Sequence, residues 1–92
     1  MALKFPDKVP QAHKDYGLNW SAMLATDETI TAATWTADSP DLTIGVSTIV
    51  GAVSTVWLSG GLDTITYKLT NQITTSRGLI DERTISIKVK AQ

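Results

Sequence analysis

The chain has 92 residues, 42% of them hydrophobic and 18% charged, with a formal net charge of -1. This is the size of one small globular domain, and its near-neutral balance argues against a dedicated nucleic-acid binder, whose footprint is basic. The lack of cysteine excludes disulfides, thiolate catalysis and cysteine-held metal centres, and no run approaches the ~20 apolar residues of a membrane-spanning helix.

Residues 1–16 read as an extended arm. Pro6 and Pro10 remove backbone donors and bias their predecessors toward extended conformations, while Lys4, Asp7, Lys8, Lys14 and Asp15 are scattered without a period. The opening residues contain no apolar stretch of the kind a secretory signal needs. An arm of this sort either straps across its own domain or docks on a neighbouring subunit. Phe5 and Tyr16 are candidate partner contacts, because an aromatic in an arm has little local core to fill.

Residues 17–92 read as a β-sandwich. Thr contributes 14 residues, Ile 8 and Val 6, and β-branched side chains pack well on a pleated surface. Trp20 to Leu24 is compatible with a strand or a single helical turn. Thr29 to Thr36 is a strand carrying Trp35, and Asp38-Ser39-Pro40-Asp41 supplies turn chemistry. Leu42 to Ser47 is a shorter strand, followed by the uncharged and weakly patterned run Val46 to Val53. That run reads as a loop, a bulged edge strand, or a surface covered by a partner. Val53 to Ser59 is a further strand that ends at Gly60-Gly61.

The clearest pair comes last. In Thr64 to Thr74, Ile65, Tyr67, Leu69, Asn71 and Ile73 alternate with polar residues, and Leu79 to Val89 repeats the pattern with Ile85, Ile87 and Val89. Gly78 in the connecting Ser76-Arg77-Gly78 can take the positive φ of a tight hairpin loop. Six or seven short strands with turns every ~8–12 residues are the signature of an antiparallel β-sandwich. Tyr67, early in the penultimate strand, stands where immunoglobulin-like domains often keep a tyrosine bonded back to nearby backbone, or is simply a buried aromatic.

Little here points to catalysis. His13 is the sole histidine, and the acidic residues lack the spacing of a calcium loop, so the chain reads as a non-enzyme with no cofactor and no metal. Asp81-Glu82-Arg83 reads as a local ion pair at the sandwich rim. Asn19-Trp20-Ser21 matches a glycosylation sequon and reads as fortuitous in a chain lacking a secretory signal. Further candidate contacts are Trp20, Trp57 and Arg77 at a hairpin tip; Trp57, like Trp35, reads first as a core anchor, and its alternation with Val56 and Leu58 allows an outward, interface position as the alternative.

The run Lys14-Asp15-Tyr16-Gly17-Leu18-Asn19-Trp20-Ser21-Ala22-Met23-Leu24, then Asp27-Glu28-Thr29-Ile30 and Trp35, resembles the start of small tailed-phage virion proteins. Val56-Trp57-Leu58-Ser59-Gly60-Gly61, Tyr67-Lys68-Leu69-Thr70-Asn71 and Thr74-Thr75-Ser76-Arg77-Gly78 with Asp81-Glu82-Arg83 are similar to the same group, the phage fibre–tail adaptor proteins. Asn19 stands where that pattern carries an acidic residue. The resemblance implies an immunoglobulin-like, non-enzymatic structural protein of the virion, made in the host bacterial cytoplasm. It would contact tail, connector, fibre or capsid proteins in a symmetric multi-copy assembly, with neither nucleic acid nor membrane as a partner. A capsid decoration or cement protein, and a free-standing carbohydrate-binding sandwich, are the alternatives.

Overall fold

The computed structural model describes residues 3–5, 8–10 and 12–90. The alternating β-branched and polar residues form β1 (Leu3–Lys4), β2 (Lys14–Asn19), β3 (Ile30–Ala37), β4 (Leu42–Val50), β5 (Val53–Gly60), β6 (Thr66–Thr75) and β7 (Ile80–Lys88). A 3₁₀ turn at Ser21–Met23 settles the ambiguous Trp20 to Leu24 stretch, and the Asn19 Oδ1 that accepts the Ser21 N–H helps to start it.

The strands lie in two sheets, ordered β1-β7-β6-β3 and β2-β5-β4, and every pairing is antiparallel except β1 with β7. The chain changes sheet between β1 and β2, β2 and β3, β3 and β4, and β5 and β6. Leaving β1 aside, this is the strand order of the immunoglobulin-type sandwich. The two sheets close over Val56, Leu58, Leu69, Ile73, Ile85 and Ile87, and Trp20 and Tyr67 fill the ends of the core.

The core aromatics keep their polar atoms satisfied. Trp20 Nε1 donates to Asn71 Oδ1 at 2.9 Å, and Asn71 Nδ2 donates to the Thr34 carbonyl at 3.0 Å. Trp35 Nε1 donates to Ser54 Oγ at 3.0 Å. Tyr67 Oη accepts the Leu62 N–H at 2.8 Å, which fixes the corner between β5 and β6 just after Gly61. Gly61 has a φ of +94°, and a Cβ there would come within 2.7 Å of Val89 Cγ2, so both backbone and space demand glycine.

Two sequence expectations change, and a third point that the sequence left open between two readings is decided. β2 begins at Lys14, so Lys14, Asp15 and Tyr16 lie in a sheet and not in an arm. β4 runs on to Val50, past the expected end at Ser47, because its register with β5 slips after Ile44↔Leu58 and resumes at Ser47↔Val56. Gly45 and Val46 together face Trp57 there, a β-bulge that prolongs the strand. Third, the described N-terminal residues lie against their own domain. The Phe5 N–H donates to Ser86 O, the Lys8 N–H to Lys88 O, and the Lys90 N–H to Lys8 O.

Lys8 pins this strap. Its buried ammonium donates to the carbonyls of Val9 at 2.9 Å and Gly60 at 2.7 Å, and burial, with Lys14 nearby, holds its pKa below the usual lysine value.

Candidate protein-contact surface

The outward face of the β2-β5-β4 sheet is built by strand alternation. Val53, Thr55, Trp57 and Ser59 point away from the core on β5, with Asn19, Gly17 and Asp15 beside the first three on β2 and Val50, Thr48 and Thr43 beside Val53, Thr55 and Ser59 on β4. Trp57 stands at its centre, 36% exposed, with the His13 ring stacked on it at 4.9 Å. A Cβ at Gly45 would approach the Trp57 carbonyl to 3.1 Å, so glycine lets the bulge close against this residue. Val46 and Val50 on the same hairpin are 70% and 72% exposed.

Charge is absent from this region of the chain. From Leu42 to Leu62 there is no ionisable side chain, and β3 has none either. The charges instead lie on β2, on β7, in the turns and on Lys68 of β6. Low charge around an exposed tryptophan is a compositional feature that protein-contact surfaces share.

A second exposed region lies at the β6–β7 turn, where Gly78 takes a φ of +84° and Arg77, Leu79 and Ile80 are exposed. The turn is braced. Thr75 Oγ1 donates to Glu28 Oε2 at 2.6 Å and accepts the N–H groups of Arg77 and Leu79. Glu28 Oε1 accepts the Ala25 N–H, and the Ser76 N–H donates to the Thr29 carbonyl. The Ala25 and Thr75 hydrogen bonds hold the Glu28 pKa below the ordinary carboxyl value. Residues 20–29 thereby link the two exposed turns, since the Trp20 N–H also bonds Ala52 O beside the β4–β5 turn.

The candidate contact residues separate into two groups. Trp57 and Arg77 are at the surface. Phe5, Tyr16 and Trp20 are core residues, and the expectation that they reach out to a partner is corrected on that ground. Phe5, 7% exposed, packs against Tyr16 at 5.1 Å and Trp35 at 6.2 Å, so the strap does have a local core for its aromatic. Trp20 is fully buried beneath Arg83, whose guanidinium lies 4.7 Å from its ring centroid. That placement replaces the ion pair expected between Arg83 and Asp81, whose Oδ1 instead accepts the Glu82 N–H. Tyr16 Oη is buried without a hydrogen-bond partner among the described residues, and burial, with Asp15 adjacent, pushes its pKa up.

Sequence reasoning did not single out Leu79 and Ile80, which alternation alone would assign to opposite faces of β7. Both are exposed: Leu79 lies in the turn before β7, and none of the first five residues of β7 is buried. The charge-free span from Leu42 to Leu62 was the stronger signal, legible only in part through Val46 to Val53.

Among the described residues no cluster of His, Asp and Glu could hold a metal ion, and no helix is long and apolar enough to cross a membrane. What the surface does offer is a turn braced by Glu28 and Thr75 and a sheet face that is neutral apart from Asp15. The chain belongs to the family of the podophage GP4 fiber-tail adaptor protein gp77, whose model matches residues 8–88. It is a phage fibre–tail adaptor of all-β, sandwich architecture. Comparison with curated proteins finds no match.

Proposed function

We propose that this adaptor joins fibre to tail by adhesion alone, using the outward β2-β5-β4 face around Trp57 for one virion protein and the braced β6–β7 turn with Arg77 for another. The observation that carries this reading is the exposed Trp57 at the centre of a surface free of charge apart from Asp15. An aromatic anchor in a desolvated patch supplies a large share of binding energy at interfaces. The turn suits a second contact because Glu28 and Thr75 fix its shape before any partner arrives, which lowers the ordering entropy lost on binding. Catalysis has no part in the task. The protein is made in the host cytoplasm and enters the particle in several symmetric copies, as suits an adaptor that serves repeated fibres.

The test is binding of the full-length chain to the purified fibre and tail proteins of the same particle. Trp57→Ala weakens one of the two interactions by roughly a hundredfold, and Arg77→Ala weakens the other, with the melting transition of the isolated chain intact. Loss of neither interaction with either variant would refute the assignment of these surfaces.

A further inference from the structure

We propose that the free edge of β4 accepts an extended, uncharged strand from a virion partner, which joins the β2-β5-β4 sheet as its fourth strand. This inference rests on the adaptor reading and specifies how one of its two contacts is made. Among the described residues β4 pairs with β5 alone, so its other side presents backbone donors and acceptors that no strand pairs.

The remaining edges are managed differently. β1 and the Lys8 bridge to Val89 cover β7. β2 opens with Lys14 and Asp15, charges of the kind that discourage strand addition. β3 likewise lacks charge and proline, but its exposed residues are threonine and alanine only, which offer an added strand little apolar surface. β4 has neither cover nor charge, and its one interruption is the bulge at Gly45 and Val46. Its nine residues include neither charge nor proline, and from Gly45 to Val50 every one is exposed. The distal half of the strand is thus left uncovered by the described residues, and an added strand would meet Val46 and Val50 there.

Charge specifies the occupant. Asp41, which is exposed, stands immediately before β4, whereas the rest of the edge is neutral. The complementary segment is thus β-branched and uncharged along its length, with a lysine or arginine at the end lying beside Asp41. A second copy of this chain fits less well. Its own β4 in antiparallel register brings no basic residue to Asp41, because the far end of the strand runs into the neutral Gly51-Ala52 turn.

Hydrogen–deuterium exchange of the full chain, alone and with the purified fibre and tail proteins, tests the proposal. In one complex the edge amides of β4 slow by roughly tenfold or more, as paired strand amides do. Val46→Lys with Val50→Lys weakens that complex by about tenfold or more, since lysine blocks an edge, while Leu62→Lys leaves it unchanged. Circular dichroism melts of each variant confirm that the sandwich is folded, and the wild-type exchange data stand independently of any variant. A complex that forms without β4 protection, or that survives both lysines, overturns strand addition but leaves the adaptor reading in place. Self-association of the free chain through β4 overturns it in favour of a second copy. Binding to neither protein overturns both readings.

Discussion

Two tyrosines show how one chemical group acquires opposite value from its surroundings. Tyr67 Oη takes the Leu62 N–H at the turn into β6, whereas Tyr16 Oη is buried with no partner among the described residues. Removing the first hydroxyl strands a backbone donor, and removing the second relieves an unmet desolvation cost. Tyr67→Phe should therefore lower stability by about 1–2 kcal/mol, and Tyr16→Phe should raise it by about 1 kcal/mol. Urea denaturation of the isolated chain checks both, and destabilisation by Tyr16→Phe would mean that its hydroxyl has a partner after all. The position of Tyr67 was legible because strand alternation placed it at a recognisable corner. The isolation of Tyr16 was not, because Phe5 reaches it only through tertiary packing of the strap.

At the scale of elements, the strap and the braced turn each give a clear expectation. Phe5 fills space between Tyr16 and Trp35, so Phe5→Ala should cost the isolated chain about 3 kcal/mol. An arm held in trans would leave the melting of the isolated chain unchanged. The sequence suggested an arm because prolines and scattered charges erase any period, and parallel pairing of a two-residue β1 leaves no pattern to read. β6 was legible nearly residue by residue, since it buries one face and wets the other, whereas β7 follows that pattern only from Ile85 on, none of its first five residues being buried. β4 was shortened in the reading because its bulge breaks the period of two and its distal half is exposed on both faces. The turn is pH-sensitive through Glu28. Its folded pKa lies below the ordinary value of 4.5, so its stabilising contribution is complete above that value and is lost as pH falls through the lowered one. Glu28→Gln should flatten the acid limb of the melting temperature between about pH 5 and pH 3. Exchange of the Leu79 and Arg77 amides, followed over the same range, locates the change at the turn.

On the scale of the whole molecule, charge is sorted by position more than it is balanced by number. A net charge of -1 conceals a chain in which Leu42 to Leu62 is neutral, whereas both the N-terminal residues and β7 carry charges of either sign. Composition gave only the total, and the sorting became visible once pairing placed β4 beside β5 and Trp57 on their common outer face. A contact made by the neutral face draws on apolar burial and backbone pairing, both of which salt screens little. A contact through Arg77 draws on a charge that salt does screen. The two interactions of the adaptor should therefore separate by ionic strength. Raising salt from about 50 to 500 mM should leave the Trp57-dependent complex within roughly twofold of its affinity, while the Arg77-dependent complex weakens through a slower association rate. Surface plasmon resonance with each purified partner resolves the two. A strong salt dependence shared by both complexes would place charged residues in both contacts and would remove the neutral sheet from the interface.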